Sequence, residues 1–518
     1  MRVSRFGTLV FASILVMVLG ATARADVRLP KIIGDHMVVQ QGMAVPIWGW
    51  ADPGEKVTVT FGDCRKSATA DADGKWMVKL DAMEAGGPAR AMTVEGKNTI
   101  TLADVLVGEV WVGSGQSNMQ WTVERSDNAQ AEIAAANYPK IRLFTVARKT
   151  AEEPLDDCEG SWAACTPETV PGFSAVAYFF GRYLHEKLDV PVGLINTSWG
   201  GTPAEAWTSL PTQVAIPELE PTVARWNAQI ANYDPQAAQA RYEKALEAWK
   251  QAAEKAKAEG AQPPRRPQPP SDPRQSPHRP ANLYNGMISP LLPFAIRGAI
   301  WYQGESNCSR AEQYQTLFPT MIRDWRDKWG QGEFPFLFVQ LAPYRYGAAD
   351  PRNCAELREA QCVTLATVPN TGMAVTTDIG DVKDIHPTNK QEVGRRLGLW
   401  ALAKTYGKDV VYSGPLYKSM AVEGSKIRVA FDHVDGGLVA KGGELTHFTI
   451  AGDDGEFVPA KATIDGATIV VHSDQVAQPV AVRFGWRDDA EPNLFNREGL
   501  PASPFRTDDF EWITAGAR

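Results

Sequence analysis

The sequence predicts an α/β fold: a parallel sheet flanked by helices, with β-sandwich-like modules before and after it and a helical insertion within it. Three observations point there. Residues 26–105 alternate apolar and polar side chains between Gly and Asp clusters. From residue 106 continuous apolar runs alternate with helical segments, the pattern of strands buried on both faces. Residues 410–518 return to two-residue alternation.

The first 25 residues stand apart. Arg2 and Arg5 precede an apolar run from Phe6 to Gly20, and Ala23-Arg24-Ala25 fits a small-residue cleavage site. This is the pattern of an export signal cleaved before Asp26, and the run is short for a membrane span. No later segment is apolar enough to cross a bilayer.

In residues 26–105, Val45-Pro-Ile-Trp-Gly-Trp50, Lys56-Val-Thr-Val-Thr-Phe61 and Lys75-Trp-Met-Val-Lys-Leu80 read as strands of a small sandwich. The α/β region occupies residues 106–208 and 286–409. Its strands are expected at 106–112, 190–196, 296–302, 334–341 and 372–377. Its helices are expected at 175–188, 311–329, 355–368 and 389–406, the last with Thr388 as N-cap. Residues 209–285 read as an insertion. Asp234-Pro235 opens a helix carrying Tyr242, Leu246, Trp249 and Ala253 at helical spacing, and residues 262–280 are rich in Pro and Arg. Residues 410–518 form the C-terminal β module, as in Lys426-Ile-Arg-Val-Ala-Phe431.

The 518 residues carry a net charge of -8. That argues against nucleic acid or an anionic membrane as partner, the arginines of the insertion included. Six cysteines without C-x-x-C spacing argue against structural zinc. In an exported chain, Cys158 with Cys165 and Cys354 with Cys362 are local disulfide candidates.

Ligands of open α/β sheets collect beyond the carboxyl ends of the strands. Four such ends carry unusual polar sequence. Gly113-Ser-Gly-Gln-Ser-Asn-Met119 lets the chain turn sharply and presents Ser117 at the start of a helix, where its own N–H can face an oxyanion. Asn196-Thr-Ser-Trp-Gly-Gly-Thr-Pro-Ala-Glu-Ala-Trp207 allows close backbone approach at Gly200 and Gly201. Trp301-Tyr-Gln-Gly-Glu-Ser-Asn307 offers the Gln303 amide as donor and Glu305 as an orienting or substrate-binding acid. Asp378-Ile-Gly-Asp-Val-Lys-Asp-Ile-His-Pro-Thr-Asn-Lys390 sets His386 close to Asp381 and Asp384. A base must reach the serine hydroxyl, and an acid must fix the imidazole tautomer. A metal site is the rival for this last cluster, but no second His stands at ligand spacing.

In order along the chain, Gly115-Gln-Ser-Asn118, Gly200-Gly201, Gln303-Gly-Glu305 and Asp384-Ile-His-Pro387 resemble the blocks of the SGNH hydrolases. With Leu29-Pro30, Asp35-His-Met-Val-Val-Gln40 and Leu357-Arg-Glu-Ala-Gln361, the chain resembles the sialate O-acetylesterase-like carbohydrate esterases. The resemblance implies a flavodoxin-like sheet order and a serine esterase that deacetylates carbohydrate without metal or organic cofactor; the leader pattern places it in the periplasm or outside the cell. It implies Ser117 as nucleophile and His386 as base, with an oxyanion hole from the N–H groups of Ser117 and Gly201 (or Gly200) and the Gln303 side chain. This chain departs from the pattern at two places. Gln303 stands where asparagine is usual. Lys383 occupies the position of the usual acid, three residues before the histidine, so the third triad member is open between Asp384, Asp381, Glu305 and none. Glu205, Trp207, Glu305 and Arg358 are candidate substrate contacts. A lipase- or thioesterase-like acyl hydrolase and a non-catalytic carbohydrate-binding surface protein are the rival readings. The sugar and the oligomeric state are not set by the sequence.

Overall fold

A computed structural model describes residues 26–348 and 350–518. The segment read as a cleavable leader, residues 1–25, lies outside the described residues.

The centre is a sheet in the spatial order Thr371–Ala374, Phe336–Val339, Gly298–Tyr302, Thr99–Gly115, Val192–Ser198, Tyr138–Thr145 and Trp162–Cys165. All neighbours are parallel except the last pair. The five strands read from the sequence are all present, within a few residues of the expected bounds except at the start of Thr99–Gly115. Tyr138–Thr145 and Trp162–Cys165 were not anticipated. Setting those two aside, the strands run 2-1-3-4-5 in chain numbering, the flavodoxin-like order. The order reverses at Thr99–Gly115, which is flanked by Val192–Ser198 and Gly298–Tyr302. A crevice at a strand's carboxyl end belongs at that reversal.

Both faces are covered, as the continuous apolar strands require. Ile300 pairs with Gly113 and Trp301 with Ser114, so consecutive side chains point to opposite faces. A Cβ on Gly113 would meet Ala177 of helix Ala175–Leu188 at 3.2 Å, while Trp301 packs on Phe318 and Trp325 of helix Ala311–Trp329. Helix Asn353–Thr367 packs on the latter, and Lys390–Trp400 on the former. Asn389, not Thr388, caps that final helix, its side chain accepting from the Glu392 N–H.

Thr99–Gly115 is 17 residues long and belongs to two modules. Its first part pairs antiparallel with Arg90–Glu95, and its second part enters the parallel sheet. The boundary expected at residue 105 therefore falls inside one strand, and one hydrophobic core runs through both modules. Glu109, fully buried in this strand, accepts from Arg297 at 2.7 and 3.1 Å and from Gln40, Gln41 and Tyr406. A buried carboxylate is tolerated only when so satisfied. The C-terminal β module has a core of its own, built on Ile427, Val429, Ile450, Val471 and Phe484.

The insertion contains helices Leu210–Val214, Glu220–Ala231 and Pro235–Ala258. Asp234 caps the last through the N–H groups of Gln236 and Ala237. No residue of that helix is fully buried. Trp249 donates to the carbonyl of Pro264 at 2.7 Å, so the proline-rich segment folds back on the apolar stripe.

The one disulfide joins Cys308 to Cys354; Cys64, Cys158, Cys165 and Cys362 are free. Both expected local pairs are thus corrected. Cys354 and Cys362 lie on one helix, eight residues and roughly 12 Å of helical rise apart. Residues 159–165 run antiparallel along 138–147, with Cys165 opposite Tyr138 and Glu159 bonded to Ala147, which sets Cys158 and Cys165 at opposite ends of a ribbon.

Gly394 controls how closely the last helix approaches helix Ala175–Leu188. A Cβ there would lie 2.6 Å from the Phe180 backbone nitrogen and 2.7 Å from Phe179 Cβ. Gly394→Ala is expected to push the two helices apart at a cost of about 1–3 kcal/mol. The urea midpoint of the variant measures this, and an unchanged midpoint would contradict so tight a contact.

Candidate active site

Ser117 opens the helical turn Ser117–Gln120 directly after the central strand. Gly115, at φ +138°, makes the exit, and any Cβ there would lie 2.2 Å from the Tyr302 carbonyl oxygen. As first residue of a helix, Ser117 has an N–H without an intrahelical acceptor. His386 comes from the loop before helix Lys390–Trp400. Its Nε2 lies 2.8 Å from Ser117 Oγ, hydrogen-bonding distance for a base and the hydroxyl it deprotonates. The sequence separates these residues by 269 positions; the sheet order closes that gap.

The imidazole stacks on Trp121, with ring centroids 5.1 Å apart and planes 16° from parallel. Burial lowers the His386 pKa, Asp384 opposes that shift, and the Lys390 and Arg125 cations add to it. The ring is therefore neutral, the form a base requires, at neutral pH. Asp384 lies 3.6 Å from Nδ1, beyond hydrogen-bond length. Its Oδ1 instead accepts from the backbone N–H of His386 at 2.9 Å, a local turn contact, and its side chain is 58% exposed. Asp384 thus shapes the loop and lies near the ring without closing a tight triad. Asp381 accepts from the Lys383 N–H and from Asp384 by backbone pairing, and makes no contact with the imidazole.

Beneath the serine lies a buried polar network. Asn118 Nδ2 donates to Glu305 Oε1 at 2.6 Å and to the Ile385 carbonyl at 3.0 Å, while its Oδ1 accepts from Lys390 Nζ at 2.6 Å. Glu305, assigned from sequence to orienting or substrate contact, therefore reaches Asn118 rather than His386. Burial raises its carboxyl pKa and drives that of Lys390 down to about 7. Gln116 accepts from the N–H groups of Gly304 and Ser306, tying the serine loop to the third block.

The second block comes within contact of Ser117. A Cβ on Gly200 would lie 3.2 Å from Ser117 Cβ, so this loop passes tightly against the serine. The Gly200 N–H donates to Gln120 Oε1 at 2.7 Å. Gly201 is at φ +76°, and among the described residues none accepts from its N–H.

Four expectations are corrected. Gln303 does not offer a free donor: its amide protons go to Asn307 Oδ1 at 2.6 Å and the Thr202 carbonyl at 3.2 Å, and its oxygen accepts from Tyr314. Glu205 is buried, ion-paired with Arg310 and bonded to Asn307, so it braces the second block from within. Trp207 is fully buried and donates to Thr202 Oγ1. Arg358 is fully buried and donates to the carbonyls of Leu341, Ala342, Arg487 and Asp488, clamping the C-terminal module to the sheet. All three are closed off from solvent, and the charges of Glu205 and Arg358 are held by internal partners. The motif containing Arg358 supports the site from below. Leu357 packs where a Gly304 side chain would be, and Gln361 bonds the backbone of Val339 and Leu341.

Sequence reasoning assigned no role to Trp121, Asn118 or Lys390. Asn118 and Lys390 stood inside the quoted blocks, but an asparagine in a turn and a lysine at a helix start read as surface residues.

The model of a family described as "Carbohydrate esterase, sialic acid-specific acetylesterase" matches residues 107–261 and 275–405. A mouse protein, sialate O-acetylesterase, is 34% identical over 79% of this chain and 80% of its own length. Its human counterpart is 34% identical over 79% and 77%. A crystal structure of a carbohydrate acetylesterase from Xanthomonas citri superposes with a TM-score of 0.80 at 37% identity, covering 94% of this chain and all of that one. With a serine and a histidine in contact at the sheet's reversal, and with these relatives, the chain belongs to the sialic acid-specific acetylesterase family of carbohydrate esterases and is a carbohydrate acetylesterase.

Proposed function

We propose that the protein hydrolyses O-acetyl esters of sugars through an acetyl-enzyme on Ser117. The observation that carries this reading is the 2.8 Å contact between His386 Nε2 and Ser117 Oγ. His386 takes the hydroxyl proton as Ser117 Oγ bonds to the acetyl carbon. The carbonyl oxygen becomes an oxyanion facing the N–H groups of Ser117 and Gly201. The bond from the acetyl carbon to the sugar oxygen breaks, and that oxygen takes the proton from His386. Water then adds to the acetyl carbon, giving its proton to His386. The ester to Ser117 breaks, acetate leaves, and Ser117 regains its proton. Asp384 biases the imidazolium electrostatically from 3.6 Å rather than through a short bond.

The rim supports an anionic sugar. Arg125 lies over Trp121 at 3.7 Å, and Trp121 in turn stacks on His386. Arg148 lies over Trp199, which immediately precedes Gly200. Both arginines are exposed, and among the described residues neither has a carboxylate partner within 4.0 Å. A guanidinium backed by an aromatic face suits a carboxylate. Action outside the cytoplasm is part of the proposal, on the strength of the leader pattern in residues 1–25 and the Cys308–Cys354 bond, a kind that persists in oxidising compartments.

Acetate release from a small chromogenic acetate, 9-O-acetyl sialic acid, acetylated xylan and acetylated xyloglucan tests the reading. Wild type is expected to release acetate, and Ser117→Ala to lose at least about 10³-fold in kcat with its fold intact. Full activity in that variant would remove Ser117 as nucleophile. Because protonated His386 cannot act as base, kcat/KM is expected to fall on acidification. The midpoint should lie below the ordinary histidine value of 6.5, since burial lowers this pKa. A midpoint above 6.5 would contradict that environment. Arg125→Ala is expected to raise KM for the acetylated sialic acid about 10-fold and leave acetylated xylan within twofold, a contrast read directly from the two KM values.

A further inference from the structure

Lys390 has no place in the ester chemistry just described, yet it is a fully buried lysine a few ångströms from it. It stands first in helix Lys390–Trp400, four residues after His386. Its Nζ lies 5.2 Å from the centre of the Tyr302 ring and 5.9 Å from that of Trp121, the ring that also carries the imidazole. The one hydrogen bond of its ammonium among the described residues is the 2.6 Å contact to Asn118 Oδ1. Asn118 is the residue next to the nucleophile. With its oxygen held, both of its N–H bonds point the other way, to Glu305 and to the carbonyl of Ile385, the residue before His386. An amide whose oxygen were free could turn over and present that oxygen to two acceptors, breaking both bonds. The lysine removes that choice.

We propose that Lys390 is a positioning residue of the esterase: through Asn118 it fixes the His386 loop to the Ser117 turn. The inference rests on the reading of Ser117 and His386 given above. Every charged group around the ammonium belongs to the site. Glu305 and Asp384 favour its charged form, burial opposes it, and His386 and Arg125 lie beyond. Burial brings the Lys390 pKa to about 7. Across the acid range where His386 titrates, the ammonium is therefore charged and holds the imidazole pKa down.

Hydrogen bond and charge can be separated by substitution. Lys390→Gln can retain a donor to Asn118 without the charge, and Lys390→Met retains neither. Lys390→Met leaves Glu305 as an isolated buried carboxylate, so Lys390→Met with Glu305→Gln supplies a charge-neutral version if the single variant does not fold. The measurements are kcat and KM for a chromogenic acetate from pH 4 to pH 9, and the rate of covalent labelling of Ser117 by a serine-directed phosphonate. Lys390→Met, or the double variant, is expected to lose about 100-fold in kcat, the scale of a misplaced catalytic group, with KM within threefold. Labelling should slow in parallel. Lys390→Gln is expected to recover at least tenfold of that loss. In all three the acid midpoint of kcat/KM should move to higher pH, because the cation beside His386 is gone. A kcat within threefold of wild type, or a loss with no movement of the acid midpoint, would overturn the proposal. An inactive wild type that also resists the phosphonate would instead overturn the reading of Ser117 and His386.

Discussion

Three loops from three different strand ends meet at one side chain, Asn118. Its amide reaches Glu305 in the loop after Gly298–Tyr302, and Ile385 and Lys390 in the segment after Thr371–Ala374, while its backbone adjoins Ser117. A serine and a histidine held only by their own loops would drift, since loops are the mobile parts of a fold. Here the two are joined by buried hydrogen bonds in surroundings where an unmade bond is costly. The 2.8 Å contact between His386 and Ser117 depends on that joint more than on the acid usually expected behind the imidazole.

The weakness of that acid contact has a local cause. With only Ile385 between Asp384 and His386, the carboxylate folds back onto the histidine's own N–H at 2.9 Å, and the same oxygen stands 3.6 Å from Nδ1. The imidazole is instead oriented from its face, by Trp121. Aromatic stacking fixes a plane without placing a second charge beside the base, which suits a base that must be neutral to begin the reaction.

Polar residues near the blocks divide into two kinds, and burial separates them. Gln303, Glu205, Asn307 and Arg310 form an internal brace that holds the second and third blocks together. Arg358 does similar work at the seam with the C-terminal module, where its guanidinium satisfies four backbone carbonyls. The exposed arginines, Arg125 and Arg148, lie on tryptophans at the rim. The flanking modules are thus fastened to the α/β unit: the N-terminal one shares a strand and a core with the sheet, and the C-terminal one is pinned through Arg358 to the loop after Phe336–Val339.

The sequence by itself determined the class of fold, the five main strands of the sheet, the helix cap at Asp234, and which serine and histidine to look for together. These are legible because they rest on period, on turn residues and on ordered short blocks, all of which are local. Tyr138–Thr145 and Trp162–Cys165 were hidden because a short strand followed by an irregular ribbon carries little periodicity. The tertiary structure alone decided which polar residues face solvent and which face the interior. Glu205, Gln303 and Arg358 have the chemistry of ligand contacts and the burial of braces, and no local pattern distinguishes the two. It alone paired Cys308 with Cys354, since bridging needs Cα atoms within about 7 Å and chain separation says nothing of that. It alone brought Lys390 against Asn118, beside Ser117. A lysine at the first turn of a helix is ordinarily solvated, and only the packing of that helix against the sheet places its charge in the interior.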